Sequence, residues 1–365
     1  MGTLSGDMSG GLVPENCQGT VTAVQANFYH VQLQAGAGHL LCTRRARLKK
    51  IGQRVMVGDQ VIVEEVDFQD RRGAIAQVLS RRTVLDRPPV ANADQLLLVF
   101  ALAEPSLDPW QLSRFLIKAE STGLPLLLGL NKQDLLSKKE QQTWAERLQQ
   151  WGYRAVFFSV LQDAGIAALE ASLKNKITVV AGPSGVGKSS LINRLIPQVE
   201  LRVGEVSGKL QRGRHTTRHV ELFPLPQGGL LADSPGFNQP DWSVLPQALG
   251  GYFPEIRAQL KQQNCQFKDC LHLQEPNCAV GRDWERYEIY EKFLEEAIAY
   301  REVQQQQRDE EDHLKVKITA AGKQIHEPKL ATKKYRRTSR RERHQNLKDL
   351  YEKQSLDELY GNDDG

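Results

Sequence analysis

Nine consecutive residues near the middle of this 365-residue chain have the types and spacing to hold a chain of phosphates: Gly182-Pro183-Ser184-Gly185-Val186-Gly187-Lys188-Ser189-Ser190. They fit the pattern G-x-x-x-x-G-K-S. Glycines let backbone N–H groups converge on phosphate oxygens. A helix starting there adds a dipole that favours an anion. Lys188 is long enough to reach the outer phosphates, and the Ser189 hydroxyl is a ligand for Mg²⁺. By itself the motif says nothing about the base.

A second stretch addresses the base. Asn131-Lys132-Gln133-Asp134 follows an apolar run and fits N-K-x-D. A carboxylate accepts two hydrogen bonds, which is what the ring N–H and exocyclic amine of guanine require and what adenine does not offer. Asp134 is therefore the expected specificity residue. Asn131 is expected to hold the geometry and meet the other edge of the base, and the Lys132 stem to lie along the ring. Such tetrads occur by chance in loops; beside a phosphate loop in the same sheet the pair becomes specific, and it argues against an ATPase or kinase. Ser159, or Val160 after it, is placed to support the base. Further on, Asp233-Ser234-Pro235-Gly236 fits D-x-x-G, with Asp233 binding Mg²⁺ through water and the Gly236 N–H facing a γ-phosphate. Between them lies Gly213-Arg214-His215-Thr216-Thr217, a polar stretch suited to a switch loop. Thr216 or Thr217 would close on Mg²⁺, Thr217 being the choice. Phe237 follows the D-x-x-G, where Ras-like GTPases place a water-orienting glutamine. Intrinsic hydrolysis is expected to be slow, with His215 the nearest substitute or a partner completing the site.

A third constellation is metal-binding. Cys265, Cys270, His272 and Cys278 are spaced C-x₄-C-x-H-x₅-C within fourteen residues. Three thiolates and an imidazole are the ligands of a closed, structural zinc site. The five cysteines are odd in number and three are clustered, which argues for metal rather than disulfides.

The elements that must position these residues follow from periodicity. Residues 14–85 contain five short strands, at 20–24, 28–33, 40–43, 60–63 and 73–78, which suit a Greek-key barrel of the OB type. A basic cluster, Arg44, Arg45, Arg47, Lys49 and Lys50, is expected in or beside a loop of that barrel. Residues 81–89 resemble a linker ending in Pro88-Pro89. Apolar runs at 95–101, 124–130 (the strand proper starting after Pro125), 154–159 and 177–181 then alternate with helical patterns, which implies a parallel sheet with helices on both faces. Trp284, Tyr287, Tyr290, Leu294 and Ile298 have helical spacing and read as core packing beside the metal loop. A run of eight cations from Lys329 to Arg343, with Tyr335 among them, suits a polyanion. The net charge is only +4, no apolar run is long enough to span a bilayer, and the first residues lack the pattern of a secretory signal, so a cytoplasmic location is expected.

The order of the pieces is unusual: N-K-x-D and Ser159 precede the phosphate loop, and D-x-x-G comes last. With G-R-H-T-T, D-S-P-G-F and C-x₄-C-x-H-x₅-C, the chain resembles the bacterial ribosome small-subunit-dependent GTPase family over residues 14–300. The resemblance implies a multidomain chain: an N-terminal all-β OB-fold barrel, a central α/β circularly permuted P-loop GTPase, and a C-terminal zinc-binding α-helical domain. The expected divisions are a flexible 1–13, a barrel at 14–85, the GTPase domain at 86–245, the zinc domain with its helix at 246–312 and a basic, disordered tail at 313–365. It further implies a GTP hydrolase acting late in maturation of the 30S subunit, binding 16S ribosomal RNA, stimulated by the subunit and released after hydrolysis. By that likeness Gly182 to Ser190 and Asn131 to Asp134 carry GTP, while Cys265, Cys270, His272 and Cys278 carry one Zn²⁺. A monomer with no membrane partner is expected. The competing expectation is an RNA-binding or remodelling module whose affinity is set by guanine nucleotide.

Overall fold

The computed structural model describes residues 17–34, 38–86, 88–197, 220–233, 244–273, 275–312, 314–318 and 324–328; side-chain detail ends at residue 306. His215, Thr216, Thr217, Gly236 and Phe237 lie outside the described residues, as do residues 1–16 and the run from Lys329 to Arg343.

The barrel forms from five strands: β1 (Cys17–Gln25), β2 (Phe28–Leu33), β3 (His39–Arg44), β4 (Gln60–Asp67) and β5 (Arg72–Val78). They close in the order β1-β2-β3-β5-β4, with β3 and β5 parallel and the other pairs antiparallel. Alternation puts Val21, Val31, Leu40, Cys42, Val61, Val63 and Ile75 inside. Burial pushes the Cys42 thiol up to about 12, so it is an apolar filler. The basic cluster differs from expectation. Arg44 belongs to β3, Arg45 precedes a short helix, and Arg47, Lys49 and Lys50 lie on that helix, α1 (Ala46–Lys50), pinned by buried Leu48. Arg45 is paired with Glu64 and Glu65, leaving Arg47, Lys49 and Lys50 on the exposed side.

Residues 81–91 are not a loose linker. They form a ladder of β6 (Val84–Asp86) and β7 (Pro89–Ala91), and Leu85 and Val90 are buried in the same core as Val57. Buried Asp59 of the barrel accepts a bidentate pair from Arg81 at 2.7 and 2.9 Å. The Ala91 N–H donates to the Val57 carbonyl at 2.8 Å, and Asn92 Nδ2 to the Gly58 carbonyl at 3.0 Å. Gly58 has φ +88°, and a Cβ there would lie 2.0 Å from the Ala91 carbonyl oxygen. The apolar side chains that looked like spacer residues have a core to enter, and they enter it.

The second sheet contains β8 (Gln95–Ala101), β9 (Leu126–Asn131), β10 (Ala155–Phe157), β11 (Ile177–Ala181), β12 (Leu222–Pro224) and β13 (Leu230–Asp233). Its order is β10-β9-β8-β11-β13-β12, parallel except for the edge strand β12. Both faces are covered, so β8 and β11 are buried at every position. The helices are α2 (Pro109–Glu120), α3 (Lys138–Gln150), α4 (Ile166–Leu173) and α5 (Lys188–Leu195). Asp108 caps α2 through the N–H groups of Trp110 and Gln111, and Ser137 with Glu140 forms a capping box on α3.

After β13 come α6 (Pro246–Leu249), α7 (Pro254–Leu260) and α8 (Tyr287–Asp312). Phe253, Ile256, Tyr290, Phe293 and Leu294 build a further core, which Ile117 of α2 joins. Arg286 is buried, held by Glu255 at 2.7 and 2.6 Å and faced by the Trp151 and Phe253 rings. By contacts the chain divides into two units, Met1–Ile298 and Ala299–Gly365. Within the second, β14 (Leu314–Ile318) pairs antiparallel with β15 (Gln324–Pro328), inside the stretch expected to be disordered. Among the described residues no helix is long and apolar enough to cross a membrane.

Candidate functional site

The parallel sheet delivers the predicted residues to one edge. Asn131 ends β9, Ser159 lies two residues past β10, the phosphate loop follows β11, and Asp233 ends β13. These are all carboxyl ends of strands, where open α/β sheets bind ligands. Order in the chain is thus irrelevant to the site; what matters is which strand each residue terminates.

The phosphate loop is shaped by two glycines that no other residue replaces. Gly182 has φ +142°, and a Cβ would lie 2.1 Å from the Val99 carbonyl oxygen. Gly187 has φ +96°, and its Cβ would lie 2.3 Å from Asn131 Nδ2. Helix α5 starts directly after Gly187, so its unpaired N–H groups face the loop. Pro183 and Val186 are buried, whereas Ser184 and Gly185 are exposed and Ser189 and Ser190 half-buried. Lys188 is 5% exposed and bends back onto the loop, donating to the carbonyls of Gly182 at 2.9 Å and Pro183 at 2.6 Å. Burial lowers its pKa to about 8, against the opposing pull of the Asp233 charge. A cation this poorly solvated gains by meeting a polyanion.

Asn131 is placed to hold the geometry, as its position in N-K-x-D led one to expect. Its side chain is buried, and both ends of the amide are engaged by protein. Nδ2 donates to the Val186 carbonyl at 2.9 Å, and Oδ1 accepts from the Val160 N–H at 3.3 Å. It therefore ties the phosphate loop to the loop after β10. Lys132 has φ +63°, and its Nζ donates to the Glu104 carbonyl. Asp134 lies half-buried in a single 3₁₀ turn, Gln133–Leu135. Buried Ser159 pairs with Ala164 through both backbone groups, and its Oγ accepts from the Gln162 N–H at 3.1 Å.

The sequence reading missed the loop after β8. Glu104 touches Lys132, and Pro105 is the nearest neighbour that a Cβ on Gly185 would have, at 3.9 Å. Its signal was topological: β8 lies between β9 and β11, so whatever follows it must border both motifs.

The metal cluster is a separate piece. Cys265 Sγ and Cys278 Sγ are 3.9 Å apart, Cys270 Sγ and Cys278 Sγ 3.6 Å, and His272 Nδ1 lies 3.6 Å from each of the three sulfurs. A tetrahedral ion with metal–sulfur bonds of about 2.3 Å and a metal–nitrogen bond of about 2.0 Å requires sulfurs about 3.8 Å apart and nitrogen about 3.5 Å from sulfur. The four groups fit one metal ion. His272 takes φ +59°, with its ring against Gly250, where a Cβ would approach it to 2.9 Å. The Ala279 N–H donates to Cys265 Sγ and the Val280 N–H to Cys278 Sγ, each at 3.4 Å, as thiolates prefer.

Comparison with known proteins agrees with this arrangement. A sequence model of the RsgA GTPase family matches residues 78–243. A relative from Microcystis aeruginosa, a small ribosomal subunit biogenesis GTPase RsgA, is 60% identical over 347 residues, covering 94% of this chain and 97% of the relative. The chain belongs to the RsgA GTPase family. A Synechocystis relative of the same name is 55% identical, over 94% of this chain and 97% of its own. The crystal structure of YjeQ from Thermotoga maritima superposes with a TM-score of 0.66 at 30% identity, covering 78% of this chain and 99% of its own. That of YloQ, described as a circularly permuted GTPase, gives 0.64 at 30% identity, covering 79% and 96%. The fold is accordingly a permuted GTPase sheet behind an N-terminal barrel, and the enzyme class is GTP hydrolase.

Proposed function

We propose that this protein hydrolyses GTP to GDP and phosphate during late maturation of the small ribosomal subunit, docking on its 16S ribosomal RNA and leaving after hydrolysis. The observation that carries the reading is the convergence of Asn131, Ser159, the phosphate loop and Asp233 on one sheet edge, joined by the buried Asn131 side chain. Asp134 reads guanine, Lys132 flanks it, and Ser159 supports its loop. Residues Gly182, Pro183, Ser184, Gly185, Val186, Gly187, Lys188, Ser189 and Ser190 cradle the phosphates. Lys188 exchanges two neutral carbonyls for phosphate oxygens. Ser189 and Asp233 would hold Mg²⁺, which supplies charge neutralisation at the outer phosphates. Gly236, Thr217 and His215 keep the roles expected from sequence.

The metal at Cys265, Cys270, His272 and Cys278 is zinc in this reading, since three thiolates and an imidazole leave no open position and suit a structural site. In functional terms residues 14–85 face RNA, 86–245 bind nucleotide, 246–312 carry the zinc and 313–365 add a basic tail. Exposed Arg47, Lys49 and Lys50 on α1 support an RNA contact at the barrel. One chain supplies every piece, which fits a monomer. The cytoplasm is the compartment that goes with this partner; an Arabidopsis thaliana relative is mitochondrial by name.

Steady-state GTP hydrolysis with and without purified 30S subunits tests the proposal. Stimulation by orders of magnitude is expected, because Phe237 stands where a water-orienting side chain would be. No stimulation favours the module whose RNA affinity alone responds to nucleotide.

A further inference from the structure

Asp134 has a short side chain, so where its carboxylate points follows from the backbone that carries it. That backbone is one 3₁₀ turn, closed by Leu135 N–H to Lys132 O at 3.1 Å and Leu136 N–H to Gln133 O at 3.2 Å. A single turn of this kind is weak alone. A side chain outside every motif grips it. Gln141, in the first turns of α3, donates from Nε2 to the Gln133 carbonyl at 2.8 Å and to the Leu136 carbonyl at 3.0 Å. These carbonyls lie on either side of Asp134 in the chain. A primary amide has two N–H groups, and both are used. The orientation is fixed chemically, because the amide oxygen turned this way would face two carbonyls; instead it faces Lys138 Nζ at 3.4 Å. Gln141 is itself held: α3 begins at the Ser137–Glu140 capping box, two residues past the turn.

We propose that Gln141 is a positioning residue for guanine selectivity, holding the turn so that both Asp134 oxygens meet the base together. The inference rests on the assignment of Asp134 to guanine. Reading guanine takes two parallel hydrogen bonds from one planar carboxylate, and hydrogen bonds weaken steeply with misalignment. A loosened turn keeps one bond and degrades the second. Hypoxanthine lacks the exocyclic amine and makes only one. The ratio of GDP to IDP affinity therefore reports the second bond, whereas a side chain that merely stabilised α3 would weaken both nucleotides alike.

The test is competition binding of GDP, IDP and XDP to the full-length chain and its Gln141→Leu and Gln141→Glu variants. Leucine keeps volume and helix propensity; glutamate keeps shape but has no N–H. Thermal melting selects the variants that fold. The GDP-to-IDP preference is expected to narrow about three- to tenfold, the worth of one hydrogen bond. An unchanged ratio in a folded variant, including equal weakening of both nucleotides, overturns the inference. Asp134→Asn serves as the independent control. If it fails to shift preference from GDP to XDP, the guanine assignment itself fails. If it shifts while the Gln141 ratio stays fixed, only the role of Gln141 fails.

Discussion

The metal cluster and the nucleotide edge are built in opposite ways. Four ligands come from fourteen consecutive residues, and their atoms lie within 4.8 Å of one another. The nucleotide edge gathers residues from Asn131 to Asp233, and no two of its motifs share a strand. The first site is one loop that brings four potential metal ligands together; the second is made by the order of strands in a sheet. A local site is expected to fail locally, and a topological one to feel every strand that feeds it.

The largest expected effect tests the local half. Cys278→Ser should abolish bound metal, from one ion per chain to none by elemental analysis, and expose the amides of 263–281 to exchange, since metal binding and folding are one equilibrium there. Nucleotide affinity should stay within about twofold, far below the worth of a lost charged hydrogen bond; its collapse would break the contrast. Next comes the other half. Gly187→Ala forces a side chain into φ +96° and against Asn131 Nδ2. Backbone strain of this kind costs roughly 1–3 kcal/mol. Weakening of both GDP and GTP by tenfold or more is expected, with metal content unchanged.

A smaller effect sharpens the electrostatics. Lys188 is neutralised in the free protein as pH rises through about 8. Phosphates stabilise its charged form, so binding takes up a proton above that value and affinity falls. Between pH 7.5 and 8.5 the charged fraction of the free protein drops about threefold, and GTP affinity should follow, read by isothermal calorimetry in buffers of different ionisation heat. The smallest effect concerns Asp163 and Arg194, which tie the loop after β10 to α5 at 2.8 and 2.6 Å. Their side chains are 55% and 43% exposed, so solvent screening limits the pair. Asp163→Asn should change GDP release by about twofold or less; a tenfold change in stopped-flow release would show that this exposed tie shares the work of Asn131.

Much of this was legible because motif residues carry their own chemistry. The glycine spacing pointed to the turn that Gly182 and Gly187 make at positive φ, and the cysteine spacing to a cluster with His272. Less legible was anything set by another strand's position. Asn131 read as a geometry-holding residue, but nothing in N-K-x-D says that Val186 and Val160 are the groups it ties together. Gln141 sits in an ordinary polar helix face, where glutamine is common. Residues 81–91 were misread because two prolines and four charges suggest solvent, while the burial of Leu85 and Val90 depends on Val57, far back in the barrel. The basic cluster was expected in a loop because its helical segment is five residues long, too short for periodicity to show.

That ladder of residues 81–91 bears on how the molecule can be divided. A barrel excised after β5 would lose the partner of Asp59, a fully buried carboxylate, and would bare Val57 together with the carbonyl of Gly58. Such a fragment leaves a carboxylate without its ion-pair partner, and breaking a buried pair from one side destabilises the fold. The chain is therefore a poor source of interchangeable parts: swapping in a relative's barrel requires moving Arg81, Leu85, Val90 and Asn92 with it, and the useful seam for a chimera lies after the ladder, not before it.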